Sequence, residues 1–193
     1  MPLQVEDEAL VRRALEGDRE AFGELADRHA AGVYHLALQM LRHPAEAEEV
    51  LQDTFLAAYK RLGTFRGESR FKTWLYQIAT NHARMKLRRR RRAPETVELE
   101  EWSLPEPVRP WRDLPAEAFE RLELRRLLTE SLESLPEIYR TAFWLRDVEG
   151  LSNQEVADVL GLTLPAVKSR VLRARLALRD RLAPYLEESA DGR

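Results

Sequence analysis

Apolar residues recur at helical spacing along most of this chain, and nowhere do they alternate as a strand would require. Leu10, Val11, Ala14 and Leu15 form a first short stripe, and Gly17 followed by Asp18 reads as a C-cap and then an N-cap. Phe22, Leu25, Ala26, Val33, Leu36, Ala37 and Met40 mark a second, longer helix. Pro44 opens a third. Its apolar stripe, Val50, Leu51, Phe55, Ala58 and Leu62, leaves Glu46, Glu48, Glu49, Gln52 and Asp53 largely on other faces. Gly63 to Ser69 reads as a loop, with Ser69 placed to cap a fourth helix that carries Phe71, Trp74, Leu75, Ile78 and Ala79.

The pattern fails between Ala93 and Pro115. That span holds five of the ten prolines, is net acidic and has no amphipathic repeat, which predicts an extended linker. Helical spacing resumes with Phe119, Leu122, Leu127, Leu128 and Leu132. Pro136 then sits in the first turn of a helix expected to reach about Asp147, and Gly150 ends it. The expected fold is all-α: two small helical domains, residues 1–92 and 116–186, joined by an acidic linker over 93–115 and followed by a tail over 187–193. At 193 residues, each domain buries only a modest core.

The formal net charge of −2 conceals a strong segregation. Acidic residues dominate up to Tyr59, whereas Lys60 to Arg92 is basic apart from Glu68, and 162–186 is basic apart from Asp180. A basic block beside an acidic one predicts two partners, one of them nucleic acid. The chain has no cysteine, which removes disulfides, thiolate metal sites and cysteine nucleophiles. His29, His35, His43 and His82 lack zinc-type spacing and there is no Gly-rich phosphate loop, so no catalytic residue, metal or cofactor is expected and a metal-dependent nuclease is disfavoured. No apolar run approaches the roughly 20 residues of a membrane span. The expectation is a soluble, cytoplasmic protein without membrane insertion.

One local signature is sharper. Ser152 and Glu155 form a capping-box pair, and Ala157, Gly161 and Val167 fall at the relative spacing of a helix-turn-helix: a small residue for close approach, a glycine for the turn, an apolar anchor. Thr163 as N-cap with Pro165 in the first turn starts the second helix. Its exposed face would carry Lys168, Ser169, Arg170 and Arg173, side chains suited to base edges and phosphates in a major groove.

Longer stretches add specificity. Phe71-Lys72-Thr73-Trp74-Leu75-Tyr76-Gln77-Ile78-Ala79-Thr80-Asn81, ending in the arginines Arg88 to Arg92, resembles regions 2.3–2.4 of the sigma-70 family, and Ala47 to Phe55 resembles region 2.2. Leu135-Pro136 to Leu145 is similar to region 4.1, and Leu151 to Leu172, with Val167-Lys168-Ser169-Arg170, to region 4.2. The absence of an N-terminal acidic domain and of a region 3 domain between the halves resembles the extracytoplasmic-function group of RNA polymerase sigma factors. Met85 stands where many members have an aspartate, and Pro165-Ala166 where Gly-Thr is usual, so no promoter preference is implied.

What the resemblance implies is a promoter-recognition subunit with core RNA polymerase and promoter DNA as partners, an anti-sigma protein as regulator, and a monomeric free state. Region 2.2 would dock on the polymerase through Glu49, Gln52, Asp53 and Phe55, with Phe55 equally suited to the core. Phe65, Arg66 and Gly67, with Asn81, match positions that receive a flipped base of the −10 element, while Trp74 is read as core. Arg84, Lys86 and Arg88 to Arg92 would follow phosphates. Arg146, Thr163, Pro165, Lys168, Ser169, Leu172 and Arg173 are the corresponding −35 positions, although Leu172 could equally be buried. Trp102 and Trp111 of the linker could grip the polymerase or pack on the chain's own domains. The alternative reading is a two-domain helix-turn-helix regulator that binds duplex DNA without polymerase. It gives the region 2.2-like segment no function.

Overall fold

The computed structural model describes residues 2–90 and 129–190, with side chains over 6–90 and 129–182. The linker, its two tryptophans, the stripe from Phe119 to Leu128, and Arg91 and Arg92 lie outside the described residues. The chain divides into two units, the first holding residues 2–90 and the second most of 129–190, with Ala157–Leu162 grouped with the first. No strand occurs among the described residues.

In the first unit, α1 (Pro2–Leu15), α2 (Arg19–Leu41), α3 (Pro44–Arg61) and α4 (Phe71–Arg90) form a bundle in which α2 packs against each of the others. Gly17 closes α1, and the Asp18 carboxylate accepts hydrogen bonds from the backbone N–H of Glu20 and Ala21, as an N-cap should. Arg42 then takes the left-handed conformation at φ 52°, so that Pro44 can start α3 immediately. Leu25, Val33, Leu36, Val50 and Leu75 are fully buried, and truncating such a leucine to alanine costs about 2–5 kcal/mol.

Several local expectations are corrected. Leu15 is about half exposed, because α1 ends before its last turn meets a neighbour. The buried seam of α3 is Ala47, Val50, Thr54 and Ala58, with Leu51 and Phe55 on its flanks. Thr54 enters the core because its hydroxyl donates to the Val50 carbonyl at 2.6 Å, which satisfies its one donor locally. The expected loop begins with a 3-10 turn, Leu62–Thr64. Ser69 does not cap α4: its hydroxyl lies 3.4 Å from the Arg70 carbonyl, and Arg70 accepts the first helical bond, from Trp74.

Buried charge ties α1 to α2. Asp7 accepts from Arg28 at 3.0 Å and from the His29 ring at 2.8 Å. A carboxylate oxygen accepts, so the His29 ring nitrogen facing Asp7 is the donor in that bond, and burial pushes the imidazole below its ordinary value against the opposing pull of Asp7.

The second unit contains a helical stretch over 129–134 (α5), then α6 (Glu137–Phe143), a π turn (Trp144–Val148), the first half of α7 (Asn153–Leu160) and α8 (Leu164–Ala190). Pro136 is the N-cap of α6 rather than a first-turn residue. Leu135, Phe143, Ala174 and Leu178 form a core between α6 and α8, with Leu132, Tyr139 and Ala177 packed on it. The helix expected to run as one piece to Asp147 widens into the π turn instead. That turn buries Leu145 and Asp147 together, and Arg175 of α8 grips both oxygens of Asp147 at 2.6 and 2.7 Å.

Candidate nucleic-acid and polymerase interfaces

Helix α4 carries two chemically different faces. Trp74, Gln77, Asn81, Arg84 and Arg88 recur at three- and four-residue spacing and form one stripe, half-buried at Trp74 and fully exposed at Asn81 and Arg88. At its N-terminal end Phe65, from the preceding loop, lies 5.3 Å from Trp74 and 5.9 Å from Phe71 between ring centroids. Trp74 is therefore a wall of a ring cluster rather than fully buried core, which corrects the expectation for it. Arg66 is strongly exposed, and Gly67 takes φ 73°, a conformation that a side chain at this bend would strain. The stripe thus offers aromatic rings, then an amide that can both donate and accept, then guanidinium groups. A single strand needs stacking, edge recognition and phosphate contact in the same order.

The other face of α4 meets α3. Lys86 forms an ion pair with Glu49, and Arg90 binds Glu46 (Nε to Oε1 2.9 Å) and the Leu41 carbonyl (3.0 Å). Read as a sequence, Lys86 and Arg88 to Arg92 formed one phosphate-following run. The helix splits that run, because residues two apart point about 200° away from each other. Arg88 stays with the Asn81 stripe, while Lys86 and Arg90 turn to the glutamates. The Lys86 ammonium holds the Glu49 carboxyl below the usual carboxylate range.

On α3, Glu49, Gln52 and Asp53 share an exposed face, whereas Phe55 is half-buried toward the flank of the core seam. Two residues missed in the sequence reading join that face: Leu56, 55% exposed, and Tyr59, 49% exposed, whose ring stands edge-on to Phe22 at 5.0 Å. Leu56 and Tyr59 thus add exposed apolar surface beside the carboxylates of this face. The stripe analysis assigned apolar residues of α3 to the core, so only the angular position of Leu56, one turn beyond Gln52, could have revealed it.

In the second unit the capping box is complete. Glu155 N–H donates to Ser152 Oγ at 3.2 Å, and Ser152 N–H donates to the Glu155 carboxylate at 2.8 Å. Ala157 and Val167 are buried, and Gly161 takes φ 60° in the turn between α7 and α8. Thr163 precedes α8 with its hydroxyl 3.4 Å from Ala166 N–H, and Pro165 lies in the first turn. Thr163, Pro165 and Lys168 are exposed; Ser169, Leu172 and Arg173 are half-buried along the same helix. Arg173 donates to the Tyr139 hydroxyl at 3.1 Å. Arg146 lies outside this helix, on the π turn, and donates to the Leu151 carbonyl at 3.0 Å. Among the described residues no group of three or more His, Asp or Glu is placed to hold a metal ion, and no helix is long and apolar enough to cross a membrane.

Family models place both units. Residues 25–93 match sigma-70 region 2, and residues 125–178 match sigma-70 region 4. The chain is 37% identical over 193 residues to the RNA polymerase sigma-H factor of Pseudomonas aeruginosa, covering 98% of this chain and all of that one. The chain belongs to the sigma-70 family. A second sigma-70 relative, the ECF RNA polymerase sigma-E factor of Haemophilus influenzae, is 33% identical over 96% of this chain and its own full length. Among solved structures, CnrH in complex with the cytosolic domain of CnrY matches with a TM-score of 0.63 at 30% identity, covering 93% of this chain and 98% of that one. The sigma factor RpoE of Bartonella quintana, solved with the anti-sigma factor NepR, shares the fold at a TM-score of 0.62 and 23% identity, over 84% and 96% of the two chains. Sigma-70 factors are not enzymes. Membership also assigns the first unit to a sigma region, which the regulator reading left without a role.

Proposed function

We propose that this sigma factor docks on core RNA polymerase through the exposed face of α3, captures unpaired bases of the −10 element along α4 and its preceding loop, and reads the −35 element with the start of α8. The observation that carries this reading is the division of α4 into two faces. One carries Trp74, Asn81 and Arg88 with Phe65 of the preceding loop packed at its N-terminal end, and on the other Lys86 and Arg90 pair with Glu49 and Glu46 of α3.

Docking falls to Glu49, Gln52 and Asp53, with Leu56 adding apolar contact; Phe55 acts mainly by fixing the flank of α3. Base capture falls to Phe65, Arg66, Gly67 and Asn81, since extruding a duplex base costs a few kcal/mol that stacking and edge bonds must offset. Arg84 and Arg88 add phosphate contact. For the −35 element, Thr163, Pro165, Lys168, Ser169, Leu172 and Arg173 lie along the first turns of α8, while Arg146 approaches from the π turn. The chain performs no chemistry of its own and needs neither cofactor nor metal. It acts in the cytoplasm beside the polymerase, as a monomer when free. That the sigma factor RpoE, which shares the fold, was solved with the anti-sigma factor NepR supports an anti-sigma protein as its regulator. The domain limits are those of the sequence reading, with the linker over 93–115.

Two variants separate the roles. Gln52→Ala/Asp53→Ala is expected to weaken core polymerase binding about tenfold or more, as loss of central interface contacts does. Asn81→Ala is expected to leave core binding intact and reduce permanganate reactivity of promoter thymines in the open complex. Wild-type behaviour of both variants would contradict the assignment.

A further inference from the structure

Two arginines of α8 are held in chemically different ways. Arg175 is bound by both oxygens of the buried Asp147 carboxylate, so its charge is cancelled within the protein. Arg173 is held by a neutral acceptor, the Tyr139 hydroxyl, at 3.1 Å across 34 residues of sequence. A phenol oxygen orients a guanidinium without neutralising it, and among the described residues one of the five guanidinium N–H groups is used. The hydroxyl is itself well placed: the Tyr139 ring packs against the core of Leu135, Phe143, Ala174 and Leu178, and Ala174 adjoins Arg173.

We propose that Tyr139 is a positioning residue for −35 recognition, holding Arg173 so that its remaining donors meet a pair of acceptor oxygens or nitrogens on DNA. This rests on the reading of Arg173 as a −35 contact. Preorganisation is the source of the effect, because a long side chain fixed before binding loses less rotamer freedom on binding. The acceptor pair is either a guanine edge, O6 and N7, or phosphate oxygens; both suit a planar fork.

The test uses holoenzyme assembled from core polymerase and four forms of the chain: wild type, Tyr139→Phe, Arg173→Ala and the double variant. Binding is measured to a promoter selected from a randomised pool, and to its single-base −35 variants. Tyr139→Phe should keep the thermal midpoint of the free chain and lower promoter affinity about three- to tenfold, the scale of ordering one long side chain on binding. The double variant should bind no more weakly than Arg173→Ala alone, because Tyr139 acts only through Arg173. Loss of discrimination at one −35 base pair identifies a base edge, and uniform loss with a shallower salt dependence identifies phosphate. If Arg173→Ala weakens binding while Tyr139→Phe does nothing or its effect adds to the other, Tyr139 is not a positioning residue. If Arg173→Ala itself has no effect, the −35 reading of Arg173 fails and this inference with it.

Discussion

Lys86 of α4 and Glu49 of α3 form an ion pair that joins the helix assigned to −10 DNA to the helix assigned to polymerase docking. A residue that looked like a phosphate contact is thereby an internal partner of a residue that looked like a docking contact. The pairing follows from helix geometry, since Lys86 and Arg90 are one turn apart and face Glu49 and Glu46.

Salt dependence of promoter binding should separate the two faces of α4. With holoenzyme at saturating sigma, Arg88→Ala should reduce the magnitude of the log–log salt slope by about one, whereas Lys86→Ala should leave it unchanged. Glu49→Gln should steepen the slope by releasing Lys86. Equal effects of Lys86→Ala and Arg88→Ala would return Lys86 to the phosphate-contacting set.

The bidentate pair between Asp147 and Arg175 is buried, with the Asp147 side chain fully inaccessible. Asp147→Ala removes the bidentate partner of the largely buried Arg175 guanidinium, and the expected loss is about 3–5 kcal/mol in urea unfolding of the full chain. A loss below about 1 kcal/mol, the scale of an exposed pair, would show that the π turn is not anchored through this contact.

Much of this architecture was legible before any coordinates. The caps at Asp18 and Ser152 declare themselves because each is a short polar side chain ahead of an apolar stripe, and Gly161 because a side chain would strain its left-handed backbone. What escaped depends on local exceptions to periodicity. Thr54 reads as polar yet is buried by a bond to its own helix, the π turn shifts Asp147 out of the α-helical register, and Leu56 is apolar yet outside. For the proposed sites, periodicity marked segments but not faces: the arginine run after Met85 looked uniform until α4 brought Arg90 to Glu46 and the Leu41 carbonyl.

His29 makes the first unit sensitive to acid. Its imidazole is held below the ordinary value of 6.5 by burial, so the unfolded chain takes up a proton first as the pH falls. Stability is therefore complete above pH 6.5 and declines as the pH drops toward the lower folded value. Thermal midpoints from about pH 7.5 to about pH 5 should fall for the wild type and fall less for His29→Gln, which keeps a donor for Asp7 without titrating there. Parallel curves for the two proteins would rule out His29 as the source.

The capping box that opens α7 should be worth a measurable amount. Ser152→Ala is expected to cost about 1 kcal/mol, and Ser152→Gly only a few tenths, in urea unfolding. A negligible loss for Ser152→Ala would mean that the Glu155–Ser152 bonds contribute little to the start of α7.

The central claim is that this chain confers promoter recognition on core polymerase through both of its units. Run-off transcription with bacterial core polymerase on templates randomised at the −35 and −10 positions tests it most directly. The account predicts transcripts that depend on the chain and are enriched for two elements at a fixed spacing. No initiation above that of core alone, with core binding demonstrated for the same preparation, would contradict it.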